Sequence, residues 1–169
     1  ILQKGSNDFS SVGKIFFKNK SGKIIDNSHF GDIFWDLDKL PIPAWEILPN
    51  ERYWKIGRPH GGHIKAGAKL KYASMMTSRG CPFNCSYCHI AQETKDSISG
   101  AIGRFRIKSD ERVRKELHIL RDEIGAKQIF IEDDSIFGMK RRAIRLLKSI
   151  VGFGLELMDV NGINMIHLV

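Results

Sequence analysis

From Lys71 to Val160 three short apolar runs alternate with two amphipathic stretches, an order that leaves few folds open. Lys71-Tyr72-Ala73-Ser74-Met75-Met76-Thr77 reads as a first core strand, Ile129-Phe130-Ile131 as a second and residues 155–160 as a third. The middle run is apolar at every position, the pattern of a strand covered on both faces of a parallel sheet. Ser109 suits a helix N-cap, because its hydroxyl can accept from a first-turn N–H that has no helical partner. Asp110 and Glu111 follow where negative charge complements the helix dipole. Val113, Leu117, Leu120 and Ile124 form one apolar stripe, and Gly125 supplies a stop. His118 lies off that stripe and is expected to face solvent. A second helix is expected over residues 139–151, with Met139, Ala143, Leu146, Leu147 and Ile150 on one face. Lys140, Arg141, Arg142 and Arg145 read as its solvated face, and Gly152 and Gly154 end it. Strands alternating with helices predict an α/β fold with a parallel sheet and right-handed crossovers.

The loop after the first strand carries every cysteine in the chain, Cys81, Cys85 and Cys88, spaced C-x3-C-x2-C. Gly80 and Pro82 mark it as a tight, non-repetitive turn. In βα architectures the loops after the strands build the active site. Iron-sulfur clusters are ordinarily held by four thiolates, so a compact set of three suggests a 4Fe-4S cluster with one iron open to another ligand. Spacing alone leaves two other readings: a Cys3His zinc site with His89, and structural or redox thiols. The zinc reading is awkward, since Cys88 and His89 are adjacent.

Cys81, Cys85, Tyr87 and Cys88 follow C-x3-C-x-aromatic-C, and with Thr77-Ser78-Arg79-Gly80 before it this motif resembles the radical S-adenosylmethionine (radical SAM) signature. Asp36-Leu37-Asp38-Lys39-Leu40-Pro41-Ile42-Pro43-Ala44-Trp45 is similar to the subgroup that carries a cobalamin-binding domain before the barrel. The likeness continues through Ile131-Glu132-Asp133-Asp134-Ser135 and Asn161-Gly162-Ile163-Asn164. The resemblance implies a partial parallel (β/α) radical SAM barrel, with residues 71–169 as its N-terminal part, preceded by a β-hairpin and a proline-rich linker. Residues 36–70 would be that linker, and residues 1–35 the hairpin at the tail of an upstream cobalamin-binding domain.

It further implies that Cys81, Cys85 and Cys88 ligate three irons while the amino and carboxylate groups of S-adenosylmethionine chelate the fourth. Tyr87 would stand on the adenine side. Glu132 and Asp133, ahead of Asp134, would meet the amino group of the cofactor, although the family's more widespread glycine-glycine-glutamate pattern is absent. Asn161 would contact the cofactor or stabilise a turn. The implied activity is reductive cleavage to methionine and a 5′-deoxyadenosyl radical. With cobalamin bound, methyl transfer to an unactivated carbon is the implied outcome; ring rearrangement or another radical conversion are alternatives. The implied partners are a small-molecule or biosynthetic-intermediate substrate and an electron donor such as flavodoxin or ferredoxin.

Ahead of this core, residues 15–19 and 23–27 read as a hairpin around Lys20-Ser21-Gly22. Pro41, Pro43 and Pro49 preclude one continuous helix over residues 36–50, so an extended connector and then a short helical turn are expected. Arg58-Pro59-His60-Gly61-Gly62-His63 reads as a glycine-permitted turn; His60 and His63 lack a cysteine or carboxylate at ligand spacing. His29 carries no expected role, and residues 91–108 no expected regular element. At 169 residues, 42% hydrophobic and 27% charged, the chain has a globular composition and length for about one domain. It opens without Met and stops inside an apolar run, which reads as a fragment. The net charge of +8 is scattered and shows no nucleic-acid motif, although the basic helix leaves a tRNA-modifying radical SAM enzyme as an alternative. No apolar run approaches the ~20 residues of a membrane span and no signal peptide opens the chain, so a cytoplasmic setting is expected. Three clustered thiols also fit a reducing compartment better than a disulfide framework.

Overall fold

The computed structural model describes residues 9–28, 33–56, 70–94 and 100–163. His29, the His60 and His63 turn, and Asn164 lie outside the described residues. In chain order the elements are β1 (Phe16–Lys18), β2 (Ile24–Asp26), α1 (Asn50–Ile56), β3 (Tyr72–Met75), β4 (Ser78–Arg79), α2 (His89–Gln92), β5 (Arg106–Ile107), α3 (Asp110–Asp122), β6 (Gln128–Ile131), α4 (Lys140–Ser149) and β7 (Glu156–Asp159). They fall into two compact units: Ile1–Trp35 with Cys81–Arg104, and Asp36–Gly80 with Phe105–Val169.

In the first unit β1 and β2 form the expected antiparallel hairpin, with Phe17 opposite Ile25. Its turn is organised by Asn19, whose side-chain oxygen accepts from the Ser21 N–H at 3.1 Å, the Lys23 N–H at 2.9 Å and the Ser21 hydroxyl at 2.8 Å. Gly22 then takes φ +82°, a conformation that a side chain would strain.

The second unit is a mixed α/β fold around a three-stranded parallel sheet in the order β3-β6-β7. Met75 pairs with Ile131 and Ile131 with Asp159, so the three strand ends are level. Ile129, Phe130 and Ile131 of the central strand are all buried, as their unbroken apolarity predicts. Ala73, Met75, Ile129 and Ile131 pack with Val113, Leu117 and Leu120 of α3 and with Leu146 of α4 in one core. The Ser109 hydroxyl accepts from the Arg112 N–H at 3.0 Å, which makes it the N-cap of α3. On the other face Tyr72 and Phe130 meet edge to face at 5.8 Å.

Three expectations need correction. Residues 91–108 contain the end of α2 and all of β5, which pairs antiparallel with β4; these ladders are too short to leave a periodic signature. Arg142 is not on a solvated face: it is 2% exposed, because α4 turns it toward polar acceptors that the sheet ends supply. The connector after Asp36 makes the expected short helical turn, at Trp45–Ile47, but the part expected to be extended holds a further 3-10 turn at Leu37–Lys39; the chain runs on into α1, and Leu37 and Trp45 are buried.

Arg112 holds that connector. Its guanidinium donates to the carbonyls of Asp38 (2.9 Å), Leu40 (2.8 Å) and Pro41 (3.0 Å), while its Nε donates to Glu116 at 2.6 Å. Glu116 is fully buried and also takes Lys108 Nζ at 2.5 Å. Removing one partner of a buried ion pair leaves an uncompensated charge, at a typical cost of about 3–5 kcal/mol. Glu116→Ala is therefore expected to lower unfolding free energy by roughly that amount in urea titration; a loss no larger than that of an exposed α3 glutamate such as Glu111→Ala would show that the cluster contributes little.

Candidate functional site

The thiol loop leaves β4 at Gly80 and re-enters regular structure at α2. Cys81 donates its backbone N–H to the Gly103 carbonyl at 3.1 Å, and the Cys88 N–H donates to the Cys85 carbonyl at 3.1 Å, closing a turn around Ser86 and Tyr87. Gly103 admits no side chain, since a Cβ there would stand 2.3 Å from the Ile90 carbonyl oxygen. All three cysteines are half-buried and none is in a disulfide. Tyr87 is 91% exposed, so it is not a packing aromatic, and His89 at the start of α2 is exposed as well.

By donor chemistry, three thiols within eight residues fit a 4Fe-4S cluster. Among the described residues no group of three or more His, Cys, Asp or Glu side chains is arranged to hold a metal ion.

The acids after β6 lie in the other unit, and the structure gives each a different task. Asp133 is fully buried with both carboxylate oxygens engaged. Oδ1 accepts from the Thr77 N–H at 2.5 Å; Oδ2 accepts from the hydroxyls of Thr77 at 2.5 Å and Ser78 at 2.6 Å. The Asp133 side chain is thus enclosed by residues 77 and 78, whereas Glu132 keeps partial exposure. Asp134 accepts from the Gly80 N–H at 2.9 Å. Glu132 is half-buried, takes the Ser74 hydroxyl at 3.0 Å, and lines a cavity of about 370 Å³ with Ser74, Met76, Arg79 and the connector residues Pro43 and Trp45. Asn161 donates its amide to the Asp133 carbonyl at 2.9 Å, which ties the loop after β7 to the end of β6.

Sequence reasoning missed Arg142, which donates to the Thr77 hydroxyl at 2.8 Å, the Thr77 carbonyl at 2.9 Å and the Lys108 carbonyl at 3.2 Å. Burial depresses its pKa, and the charges of Asp133 and Asp110 work in the opposite direction. It also missed Asp159, whose two carboxylate oxygens are shut from solvent and, among the described residues, have no close hydrogen-bond partner beyond the weak approach of the Asn161 backbone N–H. Nothing in the local sequence distinguishes either residue from a surface charge.

Set against known proteins, the chain is 38% identical over 123 residues to an uncharacterized methyltransferase of Pyrococcus horikoshii, covering 72% of this chain and 22% of that protein. It is 30% identical over 120 residues to the cytidylyl-2-hydroxyethylphosphonate methyltransferase of Streptomyces wedmorensis, covering 71% and 21%. It is 28% identical over 130 residues to the hopanoid C-2 methylase of Rhodopseudomonas palustris, covering 72% and 20%. Relatives of this chain are named methyltransferases. Those names support an enzyme, of which the chain spans about a fifth of the length of each relative. No protein-family model matches the chain, and no solved structure matches it.

Burial, followed by the charge of Asp133, raises the Asp159 pKa above the ordinary carboxylate value; the Asn161 backbone N–H partly offsets this. The folded state therefore binds more protons than the unfolded chain as pH climbs above about 3.9, and stability falls through that window. Asp159→Asn is expected to be more stable than the parent near neutral pH, with the advantage shrinking toward acid, where the parent carboxyl is protonated. Denaturant midpoints across pH check this, and a difference independent of pH would contradict it.

Proposed function

We propose that this chain belongs to a radical SAM methyltransferase, as the N-terminal part of its barrel. The observation that carries the reading is the C-x3-C-x-aromatic-C loop, with its three half-buried, disulfide-free thiols, in a chain whose relatives are named methyltransferases. The parallel β3-β6-β7 sheet supports it, because such a sheet presents its strand ends and following loops to a ligand.

In this reading Cys81, Cys85 and Cys88 hold three irons of a 4Fe-4S cluster. When bound, that cluster supplies the electron that splits S-adenosylmethionine into methionine and a 5′-deoxyadenosyl radical. Glu132, which already accepts from the Ser74 hydroxyl, would accept from the cofactor's ammonium group. Tyr87, whose ring is exposed, would stand on the adenine side. Asn161 serves this site through the Asp133 carbonyl that it already holds. The work of the protein is to orient the cofactors and exclude quenching solvent.

Residues 1–35 form the tail of an upstream cobalamin-binding domain and residues 36–70 the linker, so that cobalamin is the methyl carrier. A flavodoxin or ferredoxin supplies the electron in a cytoplasmic setting, where the thiols stay reduced. The acceptor is a small molecule. Two relatives are named for acceptors as different as a hopanoid and a cytidylyl phosphonate, which makes methyl transfer the common chemistry and not one acceptor pocket.

Anaerobic reconstitution of the whole protein with iron and sulfide tests this. The expected result is the visible absorption of a 4Fe-4S cluster and, under reductant, 5′-deoxyadenosine and methionine from S-adenosylmethionine. Cys81→Ala, Cys85→Ala and Cys88→Ala should each abolish both. A protein that takes up one tightly held zinc, forms no cluster and leaves S-adenosylmethionine intact would overturn the assignment.

A further inference from the structure

Four consecutive residues, Thr77 to Gly80, lead into Cys81, and three of them are gripped by two aspartates and an arginine of the same unit. The Thr77 hydroxyl uses both of its capacities: it accepts from Arg142 Nη1 at 2.8 Å and donates to Asp133 Oδ2 at 2.5 Å. It therefore bridges a fully buried carboxylate and a guanidinium that is 2% exposed. Asp133 takes the Thr77 N–H and the Ser78 hydroxyl besides, and Arg142 takes the Thr77 carbonyl. One residue on, Asp134 holds the N–H of Gly80, whose φ of +75° turns the chain just before the first thiol.

We infer that Asp133, Asp134 and Arg142 are positioning residues for the cysteine loop, acting through Thr77, Ser78 and Gly80. The inference rests on the radical SAM reading, since the thiols need a fixed root only if they share one cluster. A buried carboxylate and a buried guanidinium bridged by a hydroxyl, with Arg142 Nε left without a partner among the described residues, are a poor way to gain stability; apolar residues of like volume often do as well or better. What such a network provides is one allowed geometry. Every oxygen of Asp133 and both roles of the Thr77 hydroxyl are committed, so the backbone at residues 77 and 78 cannot rotate without stranding a buried charge. Neither end of the network touches a reacting atom, and its effect reaches the thiols only along the chain.

The variants that test this are Thr77→Val, which keeps shape and removes the hydroxyl, Thr77→Ser, which restores it, and Asp134→Ala, which frees Gly80 at a half-buried position. In the cluster-free whole chain, amide hydrogen exchange should rise about tenfold at Thr77 in Thr77→Val and at Gly80 in Asp134→Ala, the effect of losing a hydrogen bond to a charged group. Thr77→Ser should stay near the parent, and amides of α3 should not change in any of the three. After reconstitution, Thr77→Val and Asp134→Ala should alter the electron paramagnetic resonance signal and midpoint potential of the reduced cluster, and Thr77→Ser should not. Unchanged exchange at both amides, or altered exchange with an unaltered cluster signal and potential, would overturn the inference. If the parent forms no cluster, the radical SAM reading fails and this role falls with it; the exchange data then report the grip on residues 77–80 by itself.

Discussion

The Asp133 carboxylate is the constraint on which the ends of the parallel sheet depend. It has no access to water, and a buried carboxylate is tolerated only when its oxygens are satisfied and a positive charge stands near. Thr77 and Ser78 satisfy the oxygens, and Arg142 supplies the charge one hydroxyl away. Each requirement fixes a different piece of chain: the exit of β3, the turn after β6, and the register of α4. The carbonyl of Asp133 meanwhile takes Asn161 from beyond β7, so all three strand ends meet at one residue.

A second buried cluster does the same for the flank of the sheet. Glu116 gathers Lys108 and Arg112, and Arg112 turns its remaining donors to three carbonyls of the connector. Prolines at 41 and 43 leave that connector short of N–H groups and unable to form a ladder of its own. Its exposed carbonyls need donors from elsewhere, and one forked guanidinium provides several. Leu37 and Trp45 are buried, Trp45 within the core, and both line the cavity beside Glu132.

How far the sequence revealed this follows from which forces act locally. The α3 stripe, its Ser109 cap, the apolar β6 and the β1-β2 turn all depend on residues within a few positions of one another, and each is where periodicity and turn chemistry put it. Arg142 went unread because the acceptor that buries it lies 65 residues away, at Thr77. Glu116 was likewise indistinguishable from any helical glutamate, since Lys108 and Arg112 define it only once α3 exists. The short β4-β5 ladder has two residues on each side, fewer than an alternating pattern needs to show itself. The spacing of the thiols was legible from the start, because coordination chemistry constrains residue type and separation directly.

The acidic run shows how the pleat turns three similar residues into different ones. β3 and β6 are parallel and in register, and the Glu132 N–H continues the ladder by donating to the Met75 carbonyl at 2.9 Å. Alternate side chains of a strand point to opposite faces. Glu132 therefore shares its face with Ser74 and Phe130, and Asp133 shares the opposite one with Ile131 and the helix-covered core. On the core side an aspartate must be neutralised by the fold; on the other side a glutamate can keep an oxygen for a ligand. The division follows from the period of two, which sets Asp133 on the side of the α3 and α4 core and Glu132 on the side of the cavity.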